Sequence, residues 1–119
     1  MKDIATIILN RNLPKETDKL VRAIIKNEGE ITDIYVVEAG SDSDKLSKYC
    51  SWHINDPKTK KKGLRYPLGM NYALFQLWKK NLIFEYKAIL LLTNDTMPPK
   101  KKLATPLFKE MTFNEKIGL

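Results

Sequence analysis

Two hydrophobic patterns alternate along the chain. Ile4 to Leu9 is an unbroken apolar run, rich in β-branched residues, that stops at Asn10-Arg11-Asn12 and Pro14; this is the pattern of a strand buried on both faces. Leu20, Val21, Ile24 and Ile25 then recur at helical spacing, with Thr17 placed to cap the helix and Gly29 placed to stop it. Ile31 to Val37 repeats the strand pattern and ends in the turn-rich stretch Glu38-Ala39-Gly40-Ser41-Asp42. Strand, helix and strand in this order form a βαβ unit, whose crossover requires parallel strands and a right-handed connection.

The second half continues the alternation. Asp42 to Lys48 reads as a short helix, and Tyr49 to Ile54 as a short edge strand carrying Trp52. Asn55 to Arg65, "NDPKTKKKGLR", reads as a polar, basic, solvated loop. Beyond Pro67, the spacing of Leu74, Phe75, Trp78 and Leu82 predicts a helix from Leu68 to Lys80, with Phe75 and Trp78 in the core. Ala88 to Leu92 is the most apolar strand, Lys102 to Met111 a further helix, and Lys116 to Leu119 opens an element that the chain does not finish. The order predicts a doubly wound α/β fold, a mostly parallel sheet with helices on both faces. Ligands of such sheets bind outside the carboxyl ends of the strands. Those ends carry the polar clusters: Asn10 to Asn12, Glu38 to Asp42, and Thr93-Asn94-Asp95-Thr96.

Composition narrows the partners. A chain of 119 residues fits one domain, and 43% hydrophobic against 29% charged residues is a globular balance, not a disordered one. The excess of 21 Lys and Arg over 14 Asp and Glu gives +7, which favours an anionic partner: nucleic acid, anionic lipid or a phosphorylated small molecule. A single cysteine, Cys50, excludes an intrachain disulfide and fits a reducing compartment. The amino terminus reads as a strand and not as a signal peptide, and no segment has the ~20 apolar residues of a membrane span. The expected location is the cytoplasm, with room for peripheral contact at the inner face of the membrane.

Candidate chemistry clusters at the strand ends. Asp95, between an apolar strand and Pro98-Pro99, fits an Asx-type turn or a carboxylate ligand for Mg²⁺ or Mn²⁺, ions that need only one or two carboxylates beside phosphate and water. Glu38, Gly40 and Ser41 suit hydrogen bonding to a base or ribose, or an ordinary solvated turn. Cys50 and His53 have C-x-x-H spacing, but two ligands do not make a structural zinc site, and His53 has no visible nucleophile to activate. Neither a dinucleotide fingerprint nor a phosphate loop of the Gly-Lys-Ser/Thr type is present.

Taken in order, the motifs resemble the nucleotide-binding half of a family 2 glycosyltransferase with the Rossmann-like GT-A fold. "IILNRNLP" is similar to the family's opening "IIPTYNRP" through Asn12 and Pro14, and "VVEAGSDSD" to its "VVDDGS-x-D", with Glu38 at the first acidic position. "GLRYPLGMNYAL" resembles the Gly and the helix-opening "A-x-N-x-G/A" through Gly63 and Asn71. "LLTNDTMPP" is close to the "LLNNDT" form of the DXD signature in rhamnosyltransferase-like members. Three departures stand out: Ala39 replaces the second Asp of D-D-G-S, Asn94 replaces the first carboxylate of the paired signature, and Arg11 stands where an aromatic commonly stacks on the base.

The resemblance implies transfer of a sugar from a nucleotide-diphosphate sugar to a glycan or lipid-linked acceptor. Asn10, Arg11, Asn12, Glu38, Gly40, Ser41, Asn71 and Asn94 would line the nucleotide site, and Asp95 would hold Mn²⁺ or Mg²⁺. The general base would lie beyond Leu119, so residues 1–119 are expected to be a nucleotide-binding half-domain, truncated before the acceptor half and inactive alone. Two alternatives stand beside this reading: a non-catalytic nucleotide-sugar-binding relative, and a basic α/β nucleic-acid-binding domain, although nucleic acid is not the expected partner.

Overall fold

The computed structural model describes residues 2–63 and 66–93. The expected helix from Lys102 to Met111, the segment from Lys116, and the candidate site residues Asn94 and Asp95 lie outside them.

Four parallel strands form one sheet. Strand β1 (Ile4–Asn10) is central, with β2 (Thr32–Ala39) on one side and β4 (Ala88–Thr93) on the other; β3 (Cys50–Ile54) borders β2, giving the order β3-β2-β1-β4. The register sets Asn10 opposite Glu38, and Leu9 opposite Thr93, so the carboxyl ends of the three strands are nearly flush. From β1 the chain winds outward through β2 to β3, then crosses back to lay β4 on the far side of β1. The reversal point between β1 and β4 is where a sheet of this type opens a crevice.

Both faces of β1 are covered, which is why its sequence is an unbroken apolar run. Helix α1 (Pro14–Glu28) packs Leu20, Val21 and Ile24 against Ile8 and Val36. Helix α3 (Tyr66–Lys79) packs Met70, Ala73 and Leu77 on the opposite face, against Ala5, Ile7 and Val37. Ile7 and Ile8 are fully buried, each contributing about 1.5–3 kcal/mol by removal from water. Where β3 joins β2 the register shifts between Val36 and Val37, and the Ser51 hydroxyl accepts the Val36 N–H at 3.1 Å, so that donor is paired despite the irregularity.

Several expectations are corrected. Thr17 does not cap α1: Leu13 precedes the helix, Pro14 opens it, and Thr17 sits one turn inside, donating its hydroxyl to Asn10. Gly29, by contrast, ends α1 as expected, in a right-handed conformation with its N–H on the Ile25 carbonyl at 3.0 Å. The stretch from Asp42 to Lys48 holds only a 3₁₀ turn, Ser43–Lys45. The basic loop contains a helix, α2 (Pro57–Lys62), capped by Asp56, whose carboxylate accepts from the Thr59 N–H and hydroxyl.

Phe75 and Trp78 are not core; they are 54% and 55% exposed and lie against each other on the outer face of α3. The small residues explain this. A Cβ on Gly69 would come within 2.3 Å of Leu9 Cδ1, so Gly69, with Ala73, lets the helix lie close to the sheet on its narrow side. The aromatics, at the same helical period, are left outside.

A second cluster ties the sheet edge to the turn before β4. Tyr35 stacks on Trp52 with ring centroids 5.3 Å apart, Tyr86 meets Tyr35 edge-on, and the Tyr86 hydroxyl donates to Asp33 at 2.7 Å. Burial, then the hydrogen bonds that its hydroxyl makes with the Tyr35 hydroxyl and Asp33, push the Tyr86 phenol well above its ordinary value. Among the described residues, no helix is long and apolar enough to cross a membrane.

Candidate functional site

Glu38 is the centre of the carboxyl edge, and it is fully buried. A buried carboxylate needs several donors to offset its lost hydration. It has them: Asn10 Nδ2 and Ser41 Oγ each donate to Oε1 at 2.7 Å, and the Ser47 N–H donates to Oε2 at 2.7 Å. Asn10 in turn accepts the Leu13 N–H at 3.1 Å and the Thr17 hydroxyl at 2.9 Å, binding the end of β1 to the first turn of α1. One carboxylate therefore joins β1, α1, the turn after β2 and the turn before β3.

The two turns that rim the edge are latched to each other. Asn12 adopts a left-handed conformation, φ 59°, which an Asn side chain tolerates better than most. Its N–H donates to Ser41 Oγ at 3.1 Å, and its Oδ1 accepts the Asp42 N–H at 2.8 Å. His53 Nε2 lies 2.9 Å from the Ser41 carbonyl, and since a carbonyl only accepts, this nitrogen carries the proton. His53 thus serves the turn as a brace.

Helix α2 lies across the ends of β1 and β2. Arg11, the first residue after β1, donates from Nη2 to the carbonyls of Lys60 and Lys61 at 3.2 Å, satisfying acceptors at the helix carboxyl end. Gly40, the first residue after β2, has φ 84°, and a Cβ there would meet the Thr59 carbonyl at 2.2 Å. Its hydrogen is what allows α2 to approach. The Thr59 hydroxyl and N–H hold the exposed Asp56 carboxyl below its usual range.

The structure thus gathers Asn10, Arg11, Asn12, Glu38, Gly40 and Ser41 at one edge, where the polar ends of β1 and β2 meet. It gives them different duties from those expected. Asn10 and Glu38 are spent on the protein's own donors beneath the rim, so a direct hold on a nucleoside is not what this geometry offers; the Arg11 and Asp42 side chains are the exposed ones. Arg11 is turned to α2, not held in a stacking position by another ring. Asn71 does not open its helix. It lies inside α3, exposed, and no hydrogen bond joins it to the Glu38 network.

Asp18 and Ser47 were missed by sequence reasoning. Asp18, on the inward side of α1, is buried and accepts from the Ser47 hydroxyl and from the Lys48 N–H at 3.1 Å, fastening the turn that feeds Glu38. The available signal was its place three residues before Val21 on the apolar stripe, where a carboxylate needs a buried partner. Cys50 lies near the same centre; burial, then the Glu38 charge, pushes its thiol up.

Among the described residues no cluster of three or more His, Cys, Asp or Glu is placed to hold an ion. Glu38 is fully buried and both its oxygens already accept hydrogen bonds from the chain. The edge offers a rigid, latched rim beside a crevice position and a basic helix laid against it. The chain matches no family model, no curated protein and no solved structure.

Proposed function

We propose that the chain binds a nucleotide-diphosphate sugar at the carboxyl edge of its sheet and serves transfer of the sugar to a glycan or lipid-linked acceptor, the reaction of the family 2 glycosyltransferases that its motifs resemble. One observation carries the reading. The polar strand ends that match those motifs belong to parallel strands in the order β3-β2-β1-β4, and the first two are locked together through Asn10 and Glu38.

In this reading Asn10, Asn12, Glu38, Gly40 and Ser41 position the rim, while the exposed Arg11 borders the nucleotide. Asp95, one residue past Asn94, holds Mn²⁺ or Mg²⁺, an ion that supplies neutralising charge for a departing diphosphate. Calorimetric titration with nucleoside diphosphates tests it. Binding should require Mn²⁺ or Mg²⁺ for full affinity, and Asp95→Ala should lose the gain that the metal gives; unchanged affinity of the variant in excess metal would remove the metal role.

A second reading, a basic nucleic-acid-binding domain, is favoured by the four lysines of α2. Its affinity for an oligonucleotide would fall steeply as salt rises.

A further inference from the structure

The lysines of α2 form a concentrated charge outside the Glu38 network. Lys58, Lys60, Lys61 and Lys62 lie within six residues and are all exposed; Lys58 lies near enough to the capping Asp56 to feel its charge, and among the described residues no salt bridge is made by Lys60, Lys61 or Lys62. Like charges so close repel one another, an arrangement a solvated loop would relax by spreading. This segment cannot spread. Asp56 caps its start, Arg11 ties its end to β1, and the approach of Thr59 to Gly40 seats its middle on the end of β2.

We propose that α2 is a diphosphate-binding strap, whose lysines neutralise adjacent phosphates of a nucleotide seated at the carboxyl edge. The proposal rests on the nucleotide reading above. Six residues of helix span roughly 9 Å, the footprint of a few adjacent phosphates and short for a track along a strand of nucleic acid. Helix α2 also contains no aromatic side chain, and binding surfaces for single strands depend on such rings to stack bases. A small polyanion fits the cluster better than a polymer does. The strap supplies cationic charge from the protein itself.

The test is calorimetry at constant ionic strength with inorganic pyrophosphate, orthophosphate, a nucleoside diphosphate and the parent nucleoside, in EDTA and then in Mn²⁺. Pyrophosphate should bind in EDTA, more tightly than orthophosphate, and weaken by about tenfold in the triple variant Lys60→Gln, Lys61→Gln, Lys62→Gln. The corresponding triple Arg variant should retain binding, and unchanged amide exchange across residues 58–62 in the Gln variant shows that α2 is still folded. Nucleoside-diphosphate affinity that is unaltered by the Gln variant overturns the strap and leaves the nucleotide reading intact. Lysine-dependent pyrophosphate binding without any gain from the nucleoside upholds the strap and overturns the nucleotide reading. A single-stranded oligonucleotide that binds through the same lysines more tightly than the diphosphate overturns the strap in favour of nucleic acid.

Discussion

Asn10 and Glu38 face each other across the β1–β2 ladder, and Asn10 Nδ2 donates to Glu38 Oε1 at 2.7 Å with both side chains fully buried. The pair converts a strand register into a site geometry. Because the Glu38 carboxylate also takes the Ser41 hydroxyl and the Ser47 N–H, the two rim turns cannot shift without breaking hydrogen bonds to a buried charge.

Glu38→Gln should therefore destabilise the fold although it is nearly isosteric. Glutamine has one accepting oxygen and one donating nitrogen, so at least one of the three donors around Glu38 must face another donor. An unsatisfied buried group of this kind costs about 1–3 kcal/mol. Urea denaturation should show the midpoint fall with an unchanged slope; an unaltered midpoint would mean that the network carries little of the stability.

Gly40→Ala should detach α2. The added methyl would meet the Thr59 carbonyl at 2.2 Å while the backbone holds φ at 84°, and the conformation alone costs an L-residue about 1–2 kcal/mol. Amide exchange across residues 57–62 should accelerate more than across α1. Equal protection of α2 in both proteins would show that its approach to Gly40 does not hold it.

Cys50 gives a pH-dependent readout of the same centre. Its thiol is raised first by burial and then by the Glu38 charge, so the folded protein keeps the proton to higher pH than the unfolded chain. The sign follows: the contribution to stability is fully present below the ordinary thiol range and is lost as pH rises through the folded value. Alkylation by iodoacetamide should start at higher pH in the native protein than in urea. In Glu38→Gln the onset should move only part of the way back, since burial remains; a complete return to the unfolded profile would assign the shift to charge alone.

Much of the architecture was legible in the residues themselves. Ile4 to Leu9 and Ile31 to Val37 are apolar without alternation because both of their faces are covered, and a helix between two such strands leaves parallel pairing as the natural arrangement. Polar groups had to gather where the strands leave the core, which placed Asn10, Glu38 and Ser41 at one edge before any contact was known. The helical period of α3 was equally plain.

Tertiary structure decided which side of each pattern faces inward and what each polar group is for. Phe75 and Trp78 satisfy the helical period as well as Met70, Ala73 and Leu77 do, and the close seating of Gly69 on Leu9 selected the smaller side. A lysine-rich segment reads as a loop until Arg11 and Gly40 provide the surface on which it folds as α2. Glu38 at a strand end looks the same in sequence whether it meets a ligand or its own chain. Only the convergence of Asn10, Ser41 and Ser47 on its two oxygens assigns it to the fold, because a carboxylate inside a protein is defined by its donors and not by its position along the chain.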